Sequence, residues 1–342
     1  MSNERNALFD YAKGIGILLV VYGHVARGLL NAGLPMDRRL YGLIDSVIYS
    51  FHMPLFFFLS GMLFLTSMAR QGTRKLIENK FKVIFYPYIV WSLIQGSLEL
   101  MFAGYTNSNV TLVEILSLLW RPHAQFWFLY TLFIIYLASA ILYRRSETYW
   151  SLTILAMAVI MYVSRFSPFD IYALDSFGEN FVFFALGVST SSILSRSNVI
   201  QIRPQLMFSL SVVAFVGSQY VFYGPLGLGA DSNEPTGRLV LALGGIALVM
   251  ALSRLLMRFE CRWMLFFGRH SMEIYLIHII AASGIRIVLQ KFFGILDVSL
   301  HLALGMLFGM GIPLLVAALA AKIGLRWLFA VPARKLHFGA AS

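Results

Sequence analysis

The chain has 342 residues, of which 59% are hydrophobic and only 13% charged, with a net charge of +11. A soluble domain carries about 25% charged residues, so the deficit excludes an ordinary soluble enzyme. The positive charges fall in short segments between apolar runs, as topology anchors do, and this argues against nucleic acid as a partner. The single cysteine, Cys261, excludes an intrachain disulfide.

Apolar runs long enough to cross a bilayer recur along the whole length and predict an all-α polytopic membrane bundle. About ten spans are expected, at roughly 8–30, 44–66, 83–104, 124–143, 149–165, 177–195, 206–223, 237–257, 268–290 and 300–323. The connections are too short for a soluble module, so residues 1–342 are expected to form one membrane-embedded domain with no fused soluble domain. Asp10 and Lys13 interrupt the N-terminal apolar run, which does not read as a cleavable signal peptide. The basic segment 70–82 is expected to be a cytoplasmic loop. Arg144–Arg145, Arg196/Arg203, Arg254/Arg258/Arg262 and Arg326/Arg334/Lys335 then fall on the same side, and the acidic loop 224–235 on the other. Both termini are thus expected in the cytoplasm.

The first span carries Lys13 at its mouth and His24 deep inside. Eleven residue steps at about 100° each return His24 to within roughly 20° of the Lys13 face, about 16 Å further along the axis. Asp10 lies one turn before Lys13 as a potential ion-pair partner, with Arg5 just ahead. Gly14, Gly16 and Gly23 keep the helix surface low. An ionisable group inside a span is a functional-site hypothesis, the plainer explanation being a histidine hydrogen-bonded between helices. The second span opens on His52-Met53-Pro54 and carries Ser60-Gly61 deeper in, and Pro54 reads either as a kink beside a cavity or as a packed kink. The cations Arg74, Lys75, Lys80 and Lys82 suit either anionic lipid or a phosphate-bearing cytosolic ligand.

At the start of the fourth span, an interfacial aromatic belt explains Trp127 and Phe128 but not His123 and Gln125. Near the end, Gly268-Arg269-His270-Ser271 leads into Tyr275-Leu276-Ile277-His278. Ser271 reads as a helix N-cap with Glu273 in the first turn, and His278 is a further intramembrane histidine. A catalytic imidazole often needs a carboxylate to fix its tautomer. Asp45, Glu99, Asp175 and Glu179 qualify, and spacing does not choose among them. The histidines lie on different spans without an i, i+4 pair, so no metal site is expected. Neither a phosphate-cradling glycine loop nor a Gly-x-Ser-x-Gly elbow is present.

Taken together, these motifs resemble the integral membrane type 3 acyltransferases, particularly the polysaccharide and fucose O-acetylase branch. Lys13 followed by ten residues and His24 is similar to the family's Arg/Lys-x10-His signature. His52 through Gly61 resembles its second-helix Phe-x-x-Ser-Gly region, Trp127-Phe128-Leu129 its Trp-Phe-Leu motif, and Gly268 through His278 its late Gly-x-x-Ser…Tyr-Leu-x-His motif. The basic motif, usually arginine-rich, is here Lys80-Phe81-Lys82 before Pro87. Lysine offers a point charge rather than a bidentate fork.

The resemblance implies transfer of an acetyl group from cytoplasmic acetyl-coenzyme A to a sugar hydroxyl. The acceptor would be an exported polysaccharide, another glycan or a lipid-linked oligosaccharide, in the cytoplasmic (inner) membrane of a bacterium. Membrane lipid and polysaccharide assembly or export machinery are the implied partners, with no metal. His24 is the expected general base, with Glu179, His278 and Ser60 completing the catalytic candidates. Ser60, His278 and Trp127 are candidate donors to the oxyanion. Lys13, Arg74, Lys75, Lys80 and Lys82 are the candidate donor-binding residues, and His52, His123 and Trp127 the candidate acceptor-binding ones. A proton-coupled glycan transporter or flippase would use the same intramembrane polar residues.

Overall fold

The computed structural model describes residues 2–105, 110–144, 147–165, 171–195, 203–227 and 234–331, with side chains from residue 7 onward. Hydrocarbon offers no partner to backbone N–H and C=O groups, so a spanning segment must satisfy them internally, and apolar runs of this length become helices. In order these are α1 (Ser2–Asn31), α2 (Arg38–Tyr49), α3 (His52–Lys80), α4 (Tyr86–Met101), α5 (Leu112–Leu116), α6 (Trp127–Leu142) and α7 (Thr148–Ser164). They continue as α8 (Tyr172–Leu194), α9 (Pro204–Tyr223), α10 (Pro235–Arg258), α11 (Arg262–Arg269), α12 (Ser271–Ile287) and α13 (Val298–Lys322). There is no strand among the described residues.

Eight described stretches are long and apolar enough to cross a membrane. One of them, Arg38–Met101, runs 64 residues, about 96 Å if straight, or some three bilayer cores. It is broken into α2, α3 and α4 and is no single pass. Counting α3 and α4 separately, and adding the 17-residue apolar α7, each predicted span has a main helix, α1, α3, α4, α6 to α10, α12 and α13, although the second also takes in the end of α2.

Helix α1 is the hub. It packs against α3, α10, α11, α12 and α13, while α3 packs on α8 and α6, α7 on α8, and α9 on α10. Helix α9 is peripheral: Phe222 is its one buried residue, and Val213 and Tyr220 are each 70% exposed. Such an apolar, unburied face is what lipid covers.

Four local expectations are corrected. Residues 70–82 are not a loop. They are helical on both sides of a single break at Gly72, whose φ of 75° and ψ of 160° suit only glycine. Leu76 pins the segment by full burial. A π-helical turn, Phe81–Phe85, then leads into α4 just before Pro87, which has no N–H for a regular ladder. The predicted second span does not start at 44, because α2 ends at Tyr49 and α3 begins at His52. Pro54 makes no kink: it sits in the first turn of α3, where a helix has no intrahelical partner for an N–H anyway. Ser271 is the first helical residue of α12, not its cap, because the chain turns at His270. Of the charges used for orientation, Arg145, Arg196, Asp231, Arg334 and Lys335 lie outside the described residues, as does the side chain of Arg5.

Glycines let helices touch backbone to backbone. A Cβ on Gly61 would overlap the Phe184 carbonyl of α8, and one on Gly187 the Phe58 carbonyl of α3. Gly284 of α12 has nothing within 4 Å. Gly61→Leu should therefore destabilise the fold by about 1–3 kcal/mol through overpacking. Gly284→Ala should be neutral or stabilising by about 0.5–1 kcal/mol. Thermal unfolding of the detergent-solubilised protein distinguishes the two.

Candidate functional site

At one end of α1 the chain builds a cluster of cations. α1 crosses α11 at backbone contact: a Cβ on Gly14 would strike the Met264 carbonyl, and one on Gly268 the Asp10 carbonyl. That approach brings Arg269 to the start of α1. Asp10 accepts from Lys13 at 3.2 Å and faces Arg269 Nε at 3.6 Å. Lys13, Arg269, Lys80, Ser60, Ser271 and Tyr275 line a cavity of about 370 Å³. The Lys80 ammonium lies 4.4 Å from the centre of the Tyr136 ring on α6. An arm that carries phosphates fits such a rim, and an apolar wall that includes Ile17, Leu59 and Phe128 continues inward.

A second cavity, about 550 Å³, opens elsewhere in the bundle. Tyr49, Trp127, Asn180, Glu179, Arg165 and Arg238 line it. Both signs of charge, an amide and aromatic faces meet there, a lining suited to a polyhydroxylated ligand. Met53 lines both cavities.

Between them runs a chain of rings. The His24 ring lies 6.4 Å from Tyr49, edge-on, and 5.1 Å from His278. His278 in turn lies 6.1 Å from Tyr275. Tyr49 belongs to the larger cavity and Tyr275 to the smaller, so His24 and His278 bridge the two. His24 is largely buried but keeps some exposed surface, whereas His52 and His278 are fully buried. His52 sits 4.4 Å from Tyr49.

The tautomers of the two buried histidines follow from their partners. His278 Nδ1 meets the Tyr275 and Ile274 carbonyls at 2.8 and 3.1 Å, and His52 Nδ1 meets the Ile48 carbonyl at 2.8 Å. A carbonyl only accepts, so Nδ1 carries the proton in both rings, and in the neutral ring Nε2 is a bare acceptor. Both Nε2 atoms are buried without a partner among the described residues. Neutral His278 therefore cannot donate to an oxyanion from Nε2, but it can take a proton there.

One turn beyond His24, Arg27 holds Asp45 in a two-pronged pair at 2.9 and 2.8 Å. Tyr41 adds its hydroxyl to the same carboxylate at 3.1 Å. The Arg27 guanidinium also lies 3.3 Å from the centre of the Tyr49 ring, within cation–π range.

The other predicted residues are distributed as follows. Glu179 and Trp127 line the larger cavity, Ser60, Lys13 and Lys80 the smaller. His123 pairs with Glu99 at 3.1 Å. Gln95 donates to Glu99 at 2.8 Å and exchanges hydrogen bonds with Gln125, whose backbone carbonyl accepts from the Tyr275 hydroxyl. His123 thus ends a polar network that braces α12 against α4. Lys75 and Lys82 are exposed and line neither cavity, and Arg74 pairs with Glu78 at 3.0 Å on the surface. Of the four acids, Asp45 is held by Arg27 and Glu99 by His123, and the ring neighbours of His24 are Tyr49 and His278.

Sequence reasoning missed Arg269, Arg27 and Tyr49. Arg27 lies at i+3 from His24, beside it on the surface of α1, and that spacing was a usable signal. Tyr49 sits on a different element, and its place depends on the chain reversal between α1 and α3.

The model of the family described as "Acyltransferase domain" matches residues 6–322. The chain is 25% identical over 253 residues to nodulation protein NolL of Mesorhizobium japonicum, covering 72% of this chain and 66% of that protein. A nodulation protein NolL of Sinorhizobium fredii is also 25% identical, covering 72% of this chain and 67% of the relative. The matches thus span about two thirds of the length of these curated relatives. No solved structure matches the chain.

Asp45→Asn keeps the shape of the Arg27 partner and removes its charge. With allowance for the 41% exposure of the Arg27 side chain, it should cost on the order of 1 kcal/mol. Glu78→Gln, at the surface pair, should cost well under that. Thermal midpoints measured side by side test the ranking.

Proposed function

The chain belongs to the acyltransferase-domain family of multi-pass membrane enzymes, and from that premise we propose that it is a membrane O-acetyltransferase acting on a sugar hydroxyl. The observation that carries this reading is the ring chain joining a cation-rimmed cavity to a mixed-charge, aromatic one. Acyl-coenzyme A, most simply acetyl-coenzyme A, enters the smaller cavity with its phosphates against Lys13, Lys80 and Arg269. Its pantetheine arm follows the apolar wall toward His24, about 16 Å along α1. The acceptor hydroxyl approaches from the cavity of Trp127, Asn180 and Glu179.

His24 acts as general base. As the sugar oxygen attacks the thioester carbonyl, the imidazole takes the hydroxyl proton, and a tetrahedral oxyanion forms. Collapse breaks the C–S bond, and the departing coenzyme A thiolate receives that proton. His278, with its tautomer fixed by two carbonyls, is the neighbouring acceptor through which the proton can be shared. The acceptor is an exported or surface polysaccharide, or its lipid-linked precursor. The donor-bearing end faces the cytoplasm of a bacterial cell with both termini on that side, in the inner membrane and beside polysaccharide assembly machinery. The basic segments favour that orientation.

His24→Ala should lower acetyl transfer by about 100-fold or more with the protein still folded. Proton NMR of O-acetyl groups on the host's surface polysaccharide, at matched membrane expression, reads the loss. Glycan movement that persists without any acetyl transfer by the wild type would instead support a transporter. For the donor, Lys80→Ala should raise the acetyl-coenzyme A KM by about tenfold, the order expected for one charge-assisted contact. Lys82→Ala, outside the cavity, should leave it unchanged.

A further inference from the structure

The reaction proposed above, on which this inference rests, develops negative charge on the thioester oxygen, and a donor must meet it. Enzymes of acyl transfer often use backbone N–H groups. Here His24 and His278 lie in the middle of α1 and α12, where the amides are spent in the helices' own hydrogen bonds. The donor must come from a side chain. His278 and His52 present bare Nε2 acceptors in their neutral tautomers, as argued above. Ser60 lines the smaller cavity and Trp127 the larger, and neither is a ring neighbour of His24 or His278.

Tyr49 meets every requirement. Its ring lines the larger cavity and packs edge-on to His24. Its hydroxyl is buried with no hydrogen-bond partner among the described residues. A Cβ built on Gly23, the residue before His24, would lie 2.8 Å from Tyr49 Cε2 and 3.2 Å from its hydroxyl oxygen. The absence of a side chain at Gly23 thus lets the phenol lie across α1 beside the catalytic imidazole. Arg27 stacks on the ring, and Asp45 fixes Arg27, so the phenol is clamped from behind. An unpartnered hydroxyl in such a place costs stability and is retained where function needs it.

We propose that Tyr49 is the electrophilic catalytic residue of this site: its O–H donates to the thioester carbonyl oxygen and holds the oxyanion while His24 deprotonates the acceptor hydroxyl. The phenol keeps its proton throughout. No bond to Tyr49 forms or breaks, and the proton taken by His24 returns to the coenzyme A thiolate.

The test is Tyr49→Phe in the full-length protein purified in detergent, beside wild type and His24→Ala. Labelled acetyl-coenzyme A serves as donor and chemically de-O-acetylated surface polysaccharide of the producing cell as acceptor. The substitution removes one oxygen that has no structural partner, so the thermal midpoint should hold or rise. The expected result is a turnover about 100-fold lower, the scale for one lost oxyanion donor, with the KM for acetyl-coenzyme A within about twofold of wild type. Tyr49→Phe turning over within about threefold of wild type while His24→Ala is dead overturns the assignment of Tyr49 and leaves the base intact. A lowered midpoint with a raised KM and a proportionately lower turnover assigns Tyr49 a structural role and overturns it as well. An active His24→Ala overturns the base and the Tyr49 inference together.

Discussion

Backbone hydrogen bonding in an apolar medium constrains everything else in this molecule. A spanning segment has to spend its N–H and C=O groups on itself. The backbone is therefore withdrawn from chemistry in the middle of the bundle, and side chains must do what loops and strand ends do in soluble enzymes. Most of them are themselves satisfied: Gln95 by Gln125 and Glu99, Asp45 by Arg27 and Tyr41. Others keep a buried polar atom without a partner among the described residues, and of these Tyr49 and His278 flank His24 directly.

Close helix crossings make that arrangement possible. Without side chains at Gly14 and Gly268, α11 lies on α1, and Lys13 and Arg269 share Asp10 at one end of the hub helix. Without one at Gly23, Tyr49 lies on the same helix farther along. A single helix thus carries Lys13 with its partner Asp10, the imidazole and the bed for the phenol, and its rigidity fixes their spacing. The two cavities differ in character because different helices complete them. α3 and the start of α12 close one with Lys80, Ser60 and Ser271, and α7, α8 and α10 close the other with Arg165, Glu179 and Arg238.

The basic stretch after α3 shows how charge density and charge position diverge. Composition marks residues 70–82 as one cationic unit. The break at Gly72 and the burial of Leu76 set the phase of the helix, and that phase turns Lys80 into the cavity while Lys75 and Lys82 stay exposed. Likewise the place of His123 is set by Glu99 of α4, which also accepts from Gln95 of the glutamine pair.

By itself the sequence determined the all-helical membrane bundle, the approximate place of its apolar helices and the Lys13–His24 spacing on one helix. Hydrophobic runs and the 3.6-residue period act within one segment and need no partner to be legible. The family motifs also lie within single segments. Only the tertiary structure decided which residues from other helices meet that helix. His278, Tyr49, Arg269 and Lys80 are far from His24 in sequence, and their approach depends on crossings, a reversal between α1 and α2 and a glycine break that periodicity does not encode. The same holds for the acids: local spacing offered four carboxylates, and long-range packing gave Asp45 to Arg27, Glu99 to His123, and Asp175 and Glu179 to the larger cavity.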